Sequence, residues 1–527
     1  MNDRNVIRVE GTDRTFHRYR ILLVLMVPIA LALMAISSIN VALPTIEQGL
    51  GASPADLQWA LSGYALAFGI VLIPAGRIGD TVGRSMLFTV GLAVFTLASL
   101  ACGLASTPAA LNLARLAQGI GAALYNPQVM GMIQQLFSGR GRARAFALLG
   151  MVIAVSVAVG PLVAGTMIAW LGPHDGWRAS FLLNTPLGLV GVVLALRWLP
   201  FGRERQRRRL AREARAVRAR GGALDRRRER LDLDPVGALL LAVAVLCVMF
   251  PFTAHGSTWL WSLVPLGLVL LGGWLGWERA YRARGHAPMV DPALFAFPSF
   301  SFGTAVSGIF FVGSTSIFVI AALFLQQGLG ASALATGLVT LPNAILSAGS
   351  AHWSGRHTVD HGRSIVVGAI VLIAGSCVAA VGVARAVVDL GASFWWLALP
   401  WALAGIGQGA LGAANQTMTL EDVPSEVGGT AGGVMSTAQR IGTAIGNAMI
   451  TSIFFGAAAG SGFLVAFRTA YLTIAAVLLV AAVIAVGDLR VARRRTVSSD
   501  AARSPSSERS DGPVPTVQEY GGLGRTR

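Results

Sequence analysis

Four charged residues in this 527-residue sequence stand where charge is expensive. Asp80 and Arg84 lie four apart in Gly76-Arg77-Ile78-Gly79-Asp80-Thr81-Val82-Gly83-Arg84, a spacing that lets carboxylate and guanidinium meet on one helix face. Arg115 and Arg440 stand inside long apolar stretches. An arginine in such a place costs on the order of a few kcal/mol unless it finds acceptors, water or an anion. Such residues recognise and latch; they do not make or break bonds. No nucleotide-binding loop, catalytic triad or metal motif accompanies them, which argues against an enzyme and against any cofactor. Gly407-Gln408-Gly409-Ala410-Leu411-Gly412 has dinucleotide-loop spacing but follows no strand and lies in an apolar segment, so close helix packing explains it better. His357, Asp360 and His361 sit in a polar loop and read as solvated. Cys102, Cys247 and Cys377 are far apart in apolar surroundings and form neither a disulfide framework nor a metal set.

The elements that must position these residues follow from composition. The length alone would allow three or four soluble domains, but hydrophobic residues make up 54% and charged residues 13%. A soluble surface needs about a quarter charged residues, so the chain is an integral membrane protein. A spanning helix takes about 20 apolar residues, and fourteen such segments are expected. They fall near 21–43, 57–76, 86–105, 109–134, 145–170, 179–198, 235–254, 259–277, 300–326, 335–353, 364–386, 394–418, 428–456 and 465–487. The fold class is therefore all-α, since lipid satisfies no open backbone and barrel-type alternation is absent. The expected organisation is an N-terminal segment (1–20), a six-helix bundle (21–200), an arginine-rich loop (201–234) and two inserted spans (235–277). A linker (278–299), a second six-helix bundle (300–487) and a tail (488–527), disordered from about 497, complete it.

Every basic residue is arginine, a bias that fits a GC-rich bacterial genome. With both termini cytoplasmic, 37 of the 42 arginines fall on that side. Arg178, Arg385 and Arg468 lie outside or at the border, and Arg115 and Arg440 within spans, which sets the orientation by the positive-inside rule. The N-terminal segment has no cleavage site after its first apolar run and is expected to be retained. The net charge is +17, and the 201–234 loop alone holds thirteen arginines. That loop is either a solvated connector or a surface helix gripping anionic lipid; it lacks the aromatic interleaving of a nucleic-acid site.

The sequence repeats. Gly76-Arg77 and Gly83-Arg84-Ser85 recur as Gly355-Arg356 and Gly362-Arg363-Ser364. Gln118-Gly119 through Asn126 recurs as Gln408-Gly409 through Asn415, and Gly160 and Gly165 loosely match Gly442 and Gly446. Spans 1–6 therefore correspond to spans 9–14, two parallel halves with a central site between them. On these motifs the chain resembles the major facilitator superfamily over roughly residues 20–490. The 76–84 loop is similar to its gate signature, Arg115 through Gly121 to its second motif, and Gly160-Pro161-Leu162-Val163-Ala164-Gly165 to its antiporter motif. Asn40-Val41-Ala42-Leu43-Pro44 and Trp177-Arg178 with Asn184-Thr185-Pro186 resemble the fourteen-helix drug:proton antiporters in particular.

The resemblance implies a monomeric transporter of the bacterial plasma membrane that exports a small amphipathic compound by alternating access, with protons as the coupling ion. It implies a cytoplasmic gate at Gly76, Asp80, Gly83 and Arg84, against the alternative of a solvated pair worth about 0.3–0.5 kcal/mol. It implies a hinge at Gly160, Pro161 and Gly165, where a missing N–H and small side chains permit both kinking and close approach. The sequence departs from the family at Ala35, where an acid usually stands, and no Asp or Glu occupies the middle of a span. Arg115, with Gln118, Asn40 and Arg440, is the candidate translocation set. Arg115 either donates to carbonyls or to Ser37, Ser38 and Asn40, or faces a neutral or anionic cargo. Trp59, Tyr64, Phe310, Phe311, Asn343, Gln408 and Asn415 are candidate cavity residues. A metabolite importer on the same fold, or a non-transporting membrane sensor, is the alternative.

Overall fold

Helix boundaries follow local signals. The computed structural model describes residues 6–8, 15–201, 234–253 and 258–503, so nearly all of the arginine-rich loop lies outside the described residues. Val6–Arg8 and Thr15–His17 pair as a short antiparallel hairpin ahead of α1 (Arg18–Leu50), which ends on the left-handed Gly51. α2 (Pro54–Val82) begins at a capping box in which Ser53 and Asp56 satisfy each other's backbone, as the sequence around Asp56 suggests. α3 (Arg84–Gly103) starts directly after Gly83, whose φ of 137° makes the sharp reversal. α4 (Pro108–Leu136) is capped by Thr107, with proline in its first turn. α5 (Gly139–Leu182) and α6 (Asn184–Trp198) complete the first bundle.

The inserted pair is α7 (Pro235–Thr253) and α8 (Leu263–Ala283). The second bundle comprises α9 (Pro298–Leu323), α10 (Ala333–Asp389), α11 (Ala398–Thr419) and α12 (Gly428–Arg503). α12 runs past residue 497, so the start of the expected disordered tail is helical; extending an existing helix adds one hydrogen bond per residue without a new nucleus.

Ten helical stretches among the described residues are long and apolar enough to cross a membrane. Three of them are interrupted: α5 at Gly172, α10 at His361 and α12 at Gly462. α4, at 29 residues, is not among the ten, because Asn112, Arg115, Gln118, Asn126 and Gln128 dilute its hydropathy.

The repeat is visible in the backbone. Gly172 (φ 81°, ψ 170°) and Gly462 (φ 82°, ψ 169°) adopt the same conformation, at the same offset that relates Gln118 to Gln408. On that register Gly160 and Gly165 fall opposite Ile450 and Phe455 rather than Gly442 and Gly446. The latter two serve a different contact: a Cβ on either would run into the α9 backbone at Gly308 or Val312. Each bundle has its own aromatic core, with Phe88, Phe95, Tyr125 and Phe146 in the first and Phe324, Phe454, Phe467 and Tyr471 in the second. Their buried hydroxyls are satisfied within the bundle, Tyr125 donating to Pro28 O at 2.9 Å and Tyr471 to Ile317 O at 3.0 Å.

Candidate functional site

Asp80 occupies the last turn of α2, where its own helix dipole disfavours a negative charge. Its stabilisation comes from elsewhere. Arg84 donates to Asp80 Oδ1 through Nε at 2.8 Å and Nη2 at 2.6 Å. Across the bundle boundary, Gly429 N–H donates to Oδ1 at 3.1 Å, and Thr430 donates to Oδ2 through its N–H at 2.7 Å and its hydroxyl at 2.8 Å. Those N–H groups belong to the first turn of α12, which has no intrahelical acceptors for them, so a carboxylate of one bundle caps a helix of the other. Arg84 closes the arrangement by donating to Gly131 O (2.7 Å) and Gln135 Oε1 (3.0 Å) in its own bundle and to Ser425 O (2.6 Å) in the second. Both side chains are buried, at 2% and 5% exposure, so the solvated-pair reading does not describe this site.

Gly76 makes the approach possible: a Cβ there would lie 2.5 Å from Gly429 O and 2.9 Å from Thr430 Cα. Gln134 adds two bonds across the boundary, to Leu420 O (3.1 Å) and Val423 O (2.6 Å), and Arg142 a third to Leu420 O (3.3 Å). The corresponding loop of the second bundle differs. Val359 stands at the place of Asp80, while Arg363 pairs with Glu421 (3.2 Å) and Asp488 (3.1 Å) within its own bundle. The neighbouring Asp360 meets Arg140 of the first bundle at 3.4 Å on the exposed rim.

Arg115 is fully buried, and its acceptors are a carbonyl and Gln118 rather than Ser37. It donates to Ala60 O of α2 at 2.9 Å and to Gln118 Oε1 at 2.6 Å, and its guanidinium lies 4.5 Å from the Tyr64 ring centre. Gln118 in turn donates to Ser99 at 2.7 Å. Ser37 is instead used by its own helix, donating to Leu33 O and Met34 O. The side chain of Asn40 lies outside the described residues.

Arg440, about 16 Å along α12 from the latch, is half-buried and places its guanidinium 4.5 Å from the Phe68 ring centre. Tyr64 and Phe68 stack one turn apart on α2, with centroids 6.1 Å apart and planes at 12°. Two arginines from the two bundles thus flank one aromatic ladder. Among the described residues neither forms an ion pair with a carboxylate, and the Tyr64 hydroxyl is buried without a partner.

The structure brings together only part of the remaining set. Trp59 is exposed and lies against Phe250 of the inserted α7, with centroids 6.0 Å apart. Phe310 is buried in the second core, with Phe311 against its edge, so neither is free to line a wide cavity. Asn343 donates to Trp401 O (2.8 Å), and Asn415 to Gly303 O (3.1 Å) and Ser307 (2.8 Å); both tie helices within their bundle. Gln408 is half-buried, with its Nε2 lacking a partner. In the 160–165 segment, the close approach belongs to Gly160, whose Cβ would collide with Ser37 Oγ and lie 2.9 Å from Met34 O. Gly165 faces open space, and the backbone stays helical through Pro161 until Gly172.

Sequence reasoning missed Phe68, because an aromatic in an apolar span carries no signal of what stacks on it. It also missed Asp234 and Glu278, which flank the inserted spans and are both fully buried. An acid at the loop end of each inserted helix was the available signal.

Two bundles joined by a buried latch, with arginines at membrane depth between them, define a transporter rather than an enzyme. The model of the major facilitator superfamily matches residues 25–447, and the chain belongs to that family. A probable actinorhodin transporter of Streptomyces coelicolor is 31% identical, over 79% of this chain and 69% of that protein. A puromycin resistance protein of Streptomyces alboniger is 31% identical, over 80% and 78%. A cephamycin export protein of Amycolatopsis lactamdurans is 30% identical, over 81% and 82%. Among solved structures, the human organic anion transporter MFSD10 superposes with a TM-score of 0.62 at 14% identity, covering 89% of this chain and 99% of that one. That likeness speaks for the fold alone.

Proposed function

We propose that this protein is a fourteen-span, proton-driven exporter of small amphipathic compounds in a bacterial plasma membrane, with both termini in the cytoplasm. The observation that carries the alternating-access reading is the capping of α12 by Asp80, which joins the bundles at the arginine-rich end. A helix N-terminus held by a carboxylate of the facing bundle is a latch with two discrete arrangements, made or broken. Its state here is made, with that end closed. Export, rather than import, is supported by relatives described as export and resistance proteins. The count of fourteen is supported by the breaks at Gly172, His361 and Gly462 and by the length of α4.

The two arginines divide the alternatives left open by the sequence. Arg115 commits Nε to Ala60 and Nη1 to Gln118, and lies over Tyr64. Arg440, half-buried over Phe68, is the cation that faces cargo, which favours a neutral or anionic aromatic compound over a lipophilic cation. The test is efflux from cells lacking other pumps, measured for cationic, neutral and anionic aromatic dyes with and without a protonophore. Extrusion of neutral or anionic dyes that the protonophore abolishes is expected. Preferential extrusion of cations, or extrusion insensitive to the protonophore, would overturn the reading.

A further inference from the structure

The inserted helices hold a group that the latch and the central arginines leave unused. Asp234 precedes α7 and Glu278 lies in the last turns of α8; both side chains are fully buried. Asp234 Oδ1 accepts from Gly237 N–H at 2.9 Å and from Trp277 Nε1–H at 3.0 Å. Glu278 Oε2 accepts from Met289 N–H at 2.9 Å, and the Trp274 indole and Val290 N–H lie against the same carboxylate, while Oε1 makes no hydrogen bond of full geometry among the described residues. The two acids face each other across Gly237. A Cβ there would run into Asp234 Oδ2 and lie 2.9 Å from Glu278 Oε1, so the two oxygens are within about 5 Å of each other. Asp234 also holds a left-handed backbone, with φ of 41°, a conformation that costs about 1 kcal/mol outside glycine.

No described cation balances the pair. α7 carries no charged residue. On α8 and the linker, Arg279 is exposed, Arg282 is paired with Asp291 at 2.7 Å, the exposed Arg284 lies 5.9 Å from the ring of Trp277, the Asp234 donor, and His286 stacks on Tyr281. From α2, Arg77 reaches the linker instead, donating to Ala287 O at 3.2 Å. Burial, and then the neighbouring Asp234 charge, disfavour a charge on Glu278. One proton on Glu278 Oε1, donated to Asp234 Oδ2, would give the orphaned oxygen its missing partner and leave one charge held by the Trp277 and Gly237 N–H groups.

We propose that Asp234 and Glu278 form a proton-binding site whose single shared proton keeps the linker at 284–297 docked against the latch. Glu278 Oε2 anchors the linker at Met289, and Arg77, three residues before Asp80, anchors it at Ala287. Between linker and latch lies a cavity of about 260 Å³ lined by Arg77, His286, Met289, Val427 and Thr430, the last being a partner of Asp80. When the proton leaves through this cavity to water, the site passes from one negative charge to two. The carboxylates part, the Met289 bond breaks, and the linker lifts from the first turn of α12. This extends the proton-antiport reading by giving the proton a site. Its test reads the proton and the linker rather than cargo, so either can fail while the other stands.

The experiment uses the full chain in lipid nanodiscs. Infrared difference spectroscopy at neutral pH should show a protonated carboxyl band that disappears on alkaline titration and is absent from Glu278→Gln. In parallel, Val290→Cys places a thiol where the docked linker buries its side chain. Its alkylation, normalised at each pH to that of an exposed cysteine so that the thiol's own ionisation cancels, should accelerate about tenfold from neutral to alkaline pH, and stay slow and flat when Glu278→Gln is added, because the amide keeps the site neutral at that position. The proposal is overturned if no carboxyl band is lost in Glu278→Gln, or if alkylation normalised to an exposed cysteine does not change with pH in the otherwise native chain. The titration of the native chain decides between these outcomes even where the glutamine variant folds poorly.

Discussion

Replacing Asp80 with alanine separates the latch from simple structural support, because the contacts it removes fall into two groups. The bonds from Arg84 lie within one bundle, so their loss burdens open and closed states alike. The three donors on Gly429 and Thr430 belong to the other bundle, and they alone bear on the equilibrium between the states. At a net value of about 1 kcal/mol each, the closed state loses about 3 kcal/mol, which lowers the closed-to-open ratio roughly a hundredfold. A disulfide reports this directly. A Cβ on Gly150 of the first bundle would lie 3.6 Å from Ala351 Cβ of the second, within the separation of about 3.5–4.5 Å that disulfides require. With Gly150→Cys and Ala351→Cys in place, oxidation should crosslink the parent rapidly, stop export, and permit it again on reduction. Adding Asp80→Ala should slow crosslinking, by up to about a hundredfold as the closed fraction falls. Adding Arg84→Ala as well should restore folding yield, because the uncompensated buried guanidinium is gone, without restoring crosslinking. Equal crosslinking rates with and without Asp80, or export that continues through the crosslinked state, would refute the latch.

Gly76→Ala should likewise slow that crosslinking, by pressing a methyl group against Gly429 O, while thermal stability holds or rises because alanine favours the helix; a fall in both would indicate mere damage. Arg440→Gln should weaken export of anionic aromatic compounds about thirtyfold, the equivalent of about 2 kcal/mol for a charge-assisted hydrogen bond, and leave neutral compounds near the parent level in the same dye assay. Arg115→Ala should act through stability instead. It strips Ala60 O and Gln118 Oε1 of their donor, costs about 2–4 kcal/mol, and should lower the melting temperature for every cargo alike.

Several features could be read from residue order because their causes are local. The capping box at Ser53 and Asp56, the reversal at Gly83, and the apolar stretches of spanning length each depend on a few neighbouring residues. The repeat was legible at Gly76/Gly355 and Gln118/Gln408, where polar and glycine residues stand out against apolar background. It was misread at Gly160 and Gly165, since glycine in an alanine-rich helix recurs by chance and carries no register. Asp80 and Arg84 announced themselves by charge and spacing, yet nothing in that spacing names Gly429 and Thr430 as their partners.

What the sequence determined by itself is a membrane-embedded helical chain with a duplicated plan and a small number of charges too costly to be idle. What only the tertiary structure decided is the use of each charge. It gave Arg115 to Ala60 and Gln118, left Arg440 above Phe68, and brought Asp234 face to face with Glu278. The reason is physical. Burial fixes that a charge must be satisfied, but the partner is chosen by which helices pack, and packing is settled by small residues such as Gly76 and Gly237 that carry no charge at all.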